Sequence, residues 1–312
     1  MFGQKKWVPK GQHCYVTGGS QGTGLSLAII LVKQGAHVSI VARDQNKLKK
    51  AVEELEKVRQ NSDQIIKWYS HSLSTYEGAS AALQEACQPF GGKVPNVIFN
   101  CAGSSRPTYF VEETPETMKN GMDNAYWVQA YTALVASKMM VGQKSKGKIV
   151  FVASTLAYFS MVGYASYAPG KFALRGLAES LRSEFQLYGI GVHIYYPCTI
   201  FTPGYAEEMK TKPAITAKIE ESDSGITPET AAQGILDCVQ KGKFQHASDW
   251  ITNFFRSATR GSGPGDIFDP LRNIGAWIII PIVRAYTDRQ VRGVRVEHEE
   301  YLRSKGFYES NK

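Results

Sequence analysis

Residues 13–42 read HCYVTGGSQGTGLSLAIILVKQGAHVSIVA, and this stretch decides the fold. His13 to Thr17 has the apolar, β-branched and aromatic character of a short buried strand. A glycine turn follows, then SLAIILVKQG, an apolar-faced helix that ends at Gly35, and then HVSIVA, His37 to Ala42, as a second strand. Strand, glycine turn, helix and strand make the βαβ unit that binds dinucleotides. The glycines Gly18, Gly22 and Gly24 are spaced G-x-x-x-G-x-G. That spacing meets the same needs as the commoner motif: a tight turn, backbone close to a pyrophosphate, and helix N-terminal amides facing negative charge. A glycine-rich turn with no ligand is the bland alternative, and the framing strands and helix argue against it.

The pattern of strand then helix continues outward from this unit. Ile65 to Ser70 and Asn96 to Asn100 read as the third and fourth strands, with a helix from Thr75 to Cys87 between them. KIVFVAS, ending at Ser154, and GVHIYY, Gly191 to Tyr196, read as further strands. Pro115 to Met140 is mostly helical, and Thr227-Pro228 opens a helix running to about Lys241. His246 to Phe255 is apolar and aromatic and is expected to supply the last strand. The fold class is therefore α/β: a doubly wound Rossmann arrangement with a central parallel sheet of about seven strands flanked by helices.

Whole-chain numbers bound the partners. The 312 residues carry a net charge of +8, and 43% are hydrophobic, enough for a sizeable core. A basic balance suits nucleotide phosphates, nucleic acid or an anionic membrane alike. No aromatic-basic repeat or zinc spacing points to nucleic acid, and no metal site is expected. The five cysteines, Cys14, Cys87, Cys101, Cys198 and Cys238, form no C-x-x-C pair and read as buried thiols in a reducing compartment. The start, MFGQKKWVPKGQH, is too polar for a secretory signal.

The chemistry lies in Ser154 to Lys171, STLAYFSMVGYASYAPGK. Tyr167 and Lys171 are four apart at the start of a helix and share a face, within reach of Ser154 at a strand end. An ammonium beside a phenol is expected to lower the phenol pKa and make it a proton donor for a carbonyl under reduction. A Tyr-x-x-x-Lys alone is commonly a half-buried Tyr beside a solvated Lys; the Ser and the N-terminal unit change that reading. Asn124, within the helical stretch, is either a backbone clamp or part of a proton relay. At the end of the second strand stand Ala42-Arg43-Asp44. Arg43 can pair with a ribose 2′-phosphate, helped by Ser20, while Asp44 is expected to cap the next helix. Lys47 either assists or is a solvated helix charge.

These motifs together resemble the short-chain dehydrogenase/reductase family. They are T-G-x-x-x-G-x-G at Thr17 to Gly24, N-x-A-G at Asn100 to Gly103, Asn124, the Ser154, Tyr167 and Lys171 set, and P-x-x-I-x-T at Pro197 to Thr202. The resemblance covers about residues 10 to 245. It implies catalysis by Ser154, Tyr167, Lys171 and Asn124. It implies that NADPH is held by Gly18, Ser20, Gln21, Gly22, Gly24, Arg43, Lys47, Leu73, Asn100, Gly103, Tyr167, Lys171, Ile200 and Thr202. Departures are Ser72 where an acidic residue often contacts adenine, Cys101, Cys198, and Gly170 before the lysine.

Within the family, TGGSQGTG, VARDQNKL, YAPGKFALRGLAESLR and the tail ending in PIVRAY resemble fungal members acting on a membrane-borne sphingoid ketone. The implied reaction is reduction of 3-ketodihydrosphingosine to dihydrosphingosine. Rival readings are a 3-ketoacyl or steroid ketone reductase, and a dinucleotide-binding sensor without catalysis. The expected organisation is a catalytic domain over 1–245, a mobile flap within 203–226, and a C-terminal extension over 246–312. GSGPG, 261–265, reads as a flexible break. Beyond it, Trp277, several isoleucines and Val283 alternate with Arg284, Arg289, Arg292 and Arg295. That tail either lies in a membrane surface or packs on the protein or a partner subunit. The expected location is the cytosolic face of the endoplasmic reticulum membrane, and a homodimer, or a tetramer, is the expected assembly.

Overall fold

The computed structural model describes residues 6–221, 224–259, 261 and 263–307. The first five residues, residues 222–223 of the expected flap, Ser262 of the expected break and the last five residues of the tail lie outside the described residues. Seven strands form one parallel sheet: β1 (His13–Thr17), β2 (His37–Ala42), β3 (Ile66–Ser70), β4 (Val97–Asn100), β5 (Lys148–Val152), β6 (Gly191–Tyr196) and β7 (Gln245–Ala247). Their order is β3-β2-β1-β4-β5-β6-β7. The chain winds outward from β1 in one direction and, after β4, in the other. The order thus reverses between β1 and β4, where Thr17 pairs with Val41 on one side and Asn100 on the other. In open parallel sheets a ligand crevice forms at this switch, beyond the strand carboxyl ends.

The strands read as continuous apolar runs because both sheet faces are covered. On one face α1 (Gly22–Lys33) packs against α2 (Gln45–Lys57) and α9 (Pro228–Gln240). Leu27, Leu31, Leu48, Ile235 and Leu236 of these helices join Val16, Ile40 and Phe99 in one buried cluster. On the other face α3 (Tyr76–Cys87), α5 (Val128–Gly142) and α6 (Ala168–Glu184) bury Leu83, Ala136, Met140 and Leu174 against Tyr15, Ile98 and Phe151. Side chains close the helix N-termini: Asp44 and Thr227 accept from the Lys47 and Thr230 amides as expected, and Thr75 accepts from the Gly78 amide. Cys14, Cys87 and Cys238 are buried thiols, whereas Cys101 and Cys198 are half-buried.

One expectation needs correction, and two others gain detail. Residues 246–255 do not form a long final strand: β7 covers only Gln245–Ala247, and α10 (Trp250–Thr259) follows. Asp249 accepts the Thr252 amide at 2.9 Å and opens that helix, so the aromatic density there serves a helix face. The flap contains two short helices, α7 (Pro203–Glu208), capped by Thr202, and α8 (Ala214–Glu220). The Pro115–Met140 helix is interrupted: α4 (Pro115–Met122) and α5 are joined by a π-turn at Asp123–Trp127 that carries Asn124. Such single-turn bulges often mark functional sites.

The tail forms α11 (Asp269–Gly293), which runs through Pro281, and α12 (Arg295–Ser304). Arg256 on α10 is buried and bonds Asp269 at 2.7 Å, fixing α11 to α10, and Arg272 within α11 bonds the same Asp269 at 2.8 Å. Tyr301 of α12 donates to Glu112 at 2.5 Å, and His298 packs on Tyr109. The outer face of α11 stays apolar and exposed, with Trp277 86% and Ile267 just before it 87% accessible, beside Leu271, Ile274, Ile278 and Ile282. Among the described residues no helix is long and apolar enough to cross a membrane.

Candidate active site

A cavity of about 1230 Å³ opens at the β1/β4 switch. It runs from the glycine turn and Arg43 past Ser154, Tyr167 and Lys171 to α10 and α11. That exceeds the usual span of a single small-molecule pocket, about 300–1,000 Å³, and leaves room for a dinucleotide and a second ligand.

The dinucleotide end follows from the turn after β1. Gly18 (φ +65°) and Gly22 (φ +56°) take the left-handed conformation that L side chains avoid. A Cβ on Gly18 would meet Ala102 Cα at 2.9 Å. The first turn of α1 receives no side-chain cap and holds no acidic residue, while Ser20 to Gly24 line the cavity. Uncapped amides at a helix N-terminus fit a pyrophosphate. Asp44 is occupied by capping α2, with the Lys47 amide 3.0 Å away. Exposed Arg43 stands beside it on the wall, and Lys47 Nζ donates to Gln21 Oε1 at 3.0 Å. Ser72, the departure near the adenine position, pairs its hydroxyl with Ser74. Leu73, Gly103, Ile200 and Thr202 also reach the wall.

Asn100 does not reach it. It is fully buried and donates to the Val150 carbonyl at 3.2 Å, tying β4 to β5 behind the site. Gln129, which no motif marks, ties the Cys101–Gly103 turn to β5. Buried on α5, it donates to Val152 O at 2.8 Å and Ala102 O at 3.3 Å, and accepts from Val152 N at 3.1 Å. A glutamine on a helix face otherwise buried was the available signal.

Ser154, Asn124, Tyr167 and Lys171 all line the cavity. Tyr167 is the N-cap residue of α6, which places Lys171 one turn into the helix on the same face. Lys171 is only 3% exposed, its Nζ 5.5 Å from the Tyr167 ring centre and donating to Val152 O at 3.0 Å. Asn124 commits its amide to Asn120 O at 2.8 Å, which orients the π-turn. A Cβ on Gly103 would lie 3.0 Å from Asn124 O and 3.7 Å from Lys171 Nζ, so that carbonyl and the ammonium converge on one spot. Gly170 lets α6 approach the π-turn, because a Cβ there would meet Ala125 Cβ at 2.6 Å.

The electrostatics depart from expectation. Burial, with Glu208 adding, pushes the Tyr167 phenol up rather than down. Burial lowers the Lys171 ammonium to about 7, with only Cys101 opposing. Desolvation disfavours the charged form of both groups and is the largest cause of each shift.

A second cluster lies across the cavity from β5, and the sequence did not reveal it. Tyr164 OH stands 2.8 Å from Glu208 Oε1 and 2.7 Å from Glu220 Oε1. Lys212, 1% exposed, bridges the same carboxylates, at 3.0 Å to Glu208 and in a shorter contact to Glu220. Ser105 donates to the remaining Glu208 oxygen. These residues span α7, α8 and the loops after β4 and β5, so no local pattern joins them.

Comparison with known proteins accords with this geometry. Residues 12–213 match the family model for short chain dehydrogenase. The chain is 44% identical over 311 residues to the 3-ketodihydrosphingosine reductase of Cryptococcus neoformans, covering 99% of this chain and 92% of that one. It is 36% identical over 236 residues to the 3-dehydrosphinganine reductase of Danio rerio, covering 75% and 70%. A solved short-chain type dehydrogenase/reductase from Mycobacterium ulcerans superimposes with a TM-score of 0.67 at 21% identity, covering 77% of this chain and 89% of that chain, and shares the fold.

Proposed function

The chain belongs to the short-chain dehydrogenase family, and we propose that within it the protein reduces 3-ketodihydrosphingosine to dihydrosphingosine with NADPH. The observation that carries the substrate is likeness to a fungal 3-ketodihydrosphingosine reductase across 99% of the chain, tail included. Residues 1–245 would form the catalytic domain, with its flap over 203–226, and residues 246–312 the extension.

When bound, NADPH supplies the hydride for the ketone carbon. The glycine turn, Ser20 and Gln21 would hold its phosphates, Arg43 with Lys47 its 2′-phosphate, and Leu73, Gly103, Ile200 and Thr202 its flanks. Tyr167 donates a proton to the carbonyl oxygen, and Ser154 orients that oxygen by a hydrogen bond. A buried ammonium lowered to about 7 is poised to give up a proton at neutral pH, so Lys171 can restore the Tyr167 proton. The Asn124 carbonyl beside it suits a water that resupplies Lys171.

The alkyl chain would leave through the α10–α11 end of the cavity, where Ile251, Phe255, Ile280 and Val283 form the wall. Each methylene exposed to water would cost about 0.8 kcal/mol. An exposed apolar helix flanked by Arg284, Arg289 and Arg292 suits a seat on an anionic membrane surface. This supports a peripheral enzyme on the cytosolic face of the endoplasmic reticulum. Exposed Leu134, Val141 and Phe172 on α5 and α6 suit pairing of two copies, which sedimentation as a dimer of 34.5 kDa chains would test. Tyr167→Phe tests the chemistry: loss of a general acid costs about 10²–10⁴ in rate, and unchanged turnover would remove Tyr167 from the mechanism.

A further inference from the structure

We propose that Glu208, held by Tyr164, Ser105 and Lys212, recognises the ammonium group of the substrate and makes the enzyme selective for amino ketones. This rests on the sphingoid-ketone reading above. In such a substrate the amine-bearing carbon is bonded directly to the carbonyl carbon. Covalent geometry then keeps the nitrogen about 2.7–3.6 Å from the carbonyl oxygen, whatever the torsion between them. A group that reads the amine must stand close to the proton donor for that oxygen. Glu208 does: its charge reaches the Tyr167 phenol, and the Tyr164 ring that holds it lies 6.2 Å from the Tyr167 ring.

The charge tally fits a cation. Glu208 and Glu220 face a single bridging ammonium, Lys212, and leave one negative charge. Lys218 and Glu221, one of each sign, also line this wall, and Arg284 pairs with Asp288 at 3.3 Å. Tyr164 has one hydroxyl hydrogen for two carboxylate oxygens within 2.8 Å, and a carboxylate oxygen has lone pairs for more than one donor, so the Glu208 oxygens facing the cavity can accept again. An entering ammonium brings three. A neutral 3-keto ester or a steroid ketone brings none.

The same cluster also latches α7 and α8 to the loop before α6, so the test must separate recognition from latching. The assay compares kcat/KM for 3-ketodihydrosphingosine with that for the same ketone lacking the 2-amino group, at a pH where the amine is protonated. The wild-type protein is expected to favour the amine about ten- to hundredfold, the range of a charge-assisted hydrogen bond. Glu208→Gln is expected to lower that ratio about tenfold or more. Glu220→Gln, which removes the same charge from the other side of Lys212, should lower it too and serves if Glu208→Gln misfolds. Glu207→Gln, at an exposed surface pair with Lys210, should leave the ratio alone. Equal loss on both ketones in both charge variants would mean a latch only and would overturn the proposal. Equal wild-type turnover of both ketones would overturn it while leaving the substrate reading intact. Turnover of neither would refute the substrate reading itself, and the proposal with it.

Discussion

If the protein prefers NADPH over NADH as proposed, Arg43→Ala is expected to erase most of that preference. Arg43 stands exposed on the cavity wall just past β2. Its neighbour Asp44 is held in the α2 cap, 3.0 Å from the Lys47 amide. The cation is therefore available to a 2′-phosphate, and the nearest carboxylate is occupied. In water two unit charges at 4 Å attract by about 1 kcal/mol, and a phosphate near charge −2 doubles this. A charge-assisted hydrogen bond is worth about 1.5–3 kcal/mol, which agrees with that sum. The expected effect is a ten- to hundredfold fall in kcat/KM for NADPH, with the NADH value changed far less. Because the site is exposed, added salt should erode the wild-type preference and leave the variant nearly insensitive. Initial rates with each cofactor at two ionic strengths decide it. A variant whose cofactor ratio stays within threefold of wild type would refute the reasoning.

Other perturbations test other parts of the structure. Burial lowers His13 to about 3 and His193 to about 4, with His37 beside the first and Lys148 beside the second adding to the effect. Both folded values lie below the free imidazole's, so the unfolded chain binds more protons and stability falls as pH drops below about 6.5, levelling off once the folded forms also protonate. Between pH 6.5 and 4.5 the loss should be about 4 kcal/mol, read as a lower urea midpoint, and a flat midpoint would contradict it. Asp269→Ala leaves the buried Arg256 with only its 3.2 Å contact to Asp266 from this acidic pair, a change of about 3 kcal/mol in the tail. It should open the segment between α10 and α11 to protease while NADPH binding, measured by fluorescence, persists; uniform protection would count against the anchoring role. Trp277→Asp with Ile278→Asp should weaken pelleting with anionic vesicles more than tenfold, since burying each side chain is worth about 1.5–3 kcal/mol. A wild-type protein that stays in the supernatant would remove the membrane seat.

The sheet and the dinucleotide end were legible because their determinants are local. Residues 13–42 hold two buried strands and the positive-φ glycines within one βαβ unit, and the capping Asp44 follows two residues on. Ser154, Tyr167 and Lys171 were legible for the same reason: a strand end and one helical turn bring them together. The Glu208 cluster was not, because its members lie 44 and 56 residues from Tyr164 and 103 from Ser105. A run such as Tyr205 to Gly225 looks solvated when its charges are counted along the chain, yet Lys212 is satisfied inside. The sense of the Tyr167 shift was missed because pairing with Lys171 is visible in sequence and desolvation is not. Residues 250–255 were misread because aromatic density alone does not separate a strand from a helix face; the Thr252 amide bonded to Asp249 does.

The most direct measurement is NADPH oxidation at 340 nm with 3-ketodihydrosphingosine, run beside a 3-ketoacyl thioester and a steroid ketone, with NADH in parallel. Turnover of the sphingoid ketone, with NADPH strongly preferred, is expected. Turnover confined to another ketone, or none at all while NADPH still binds, would contradict the proposed function.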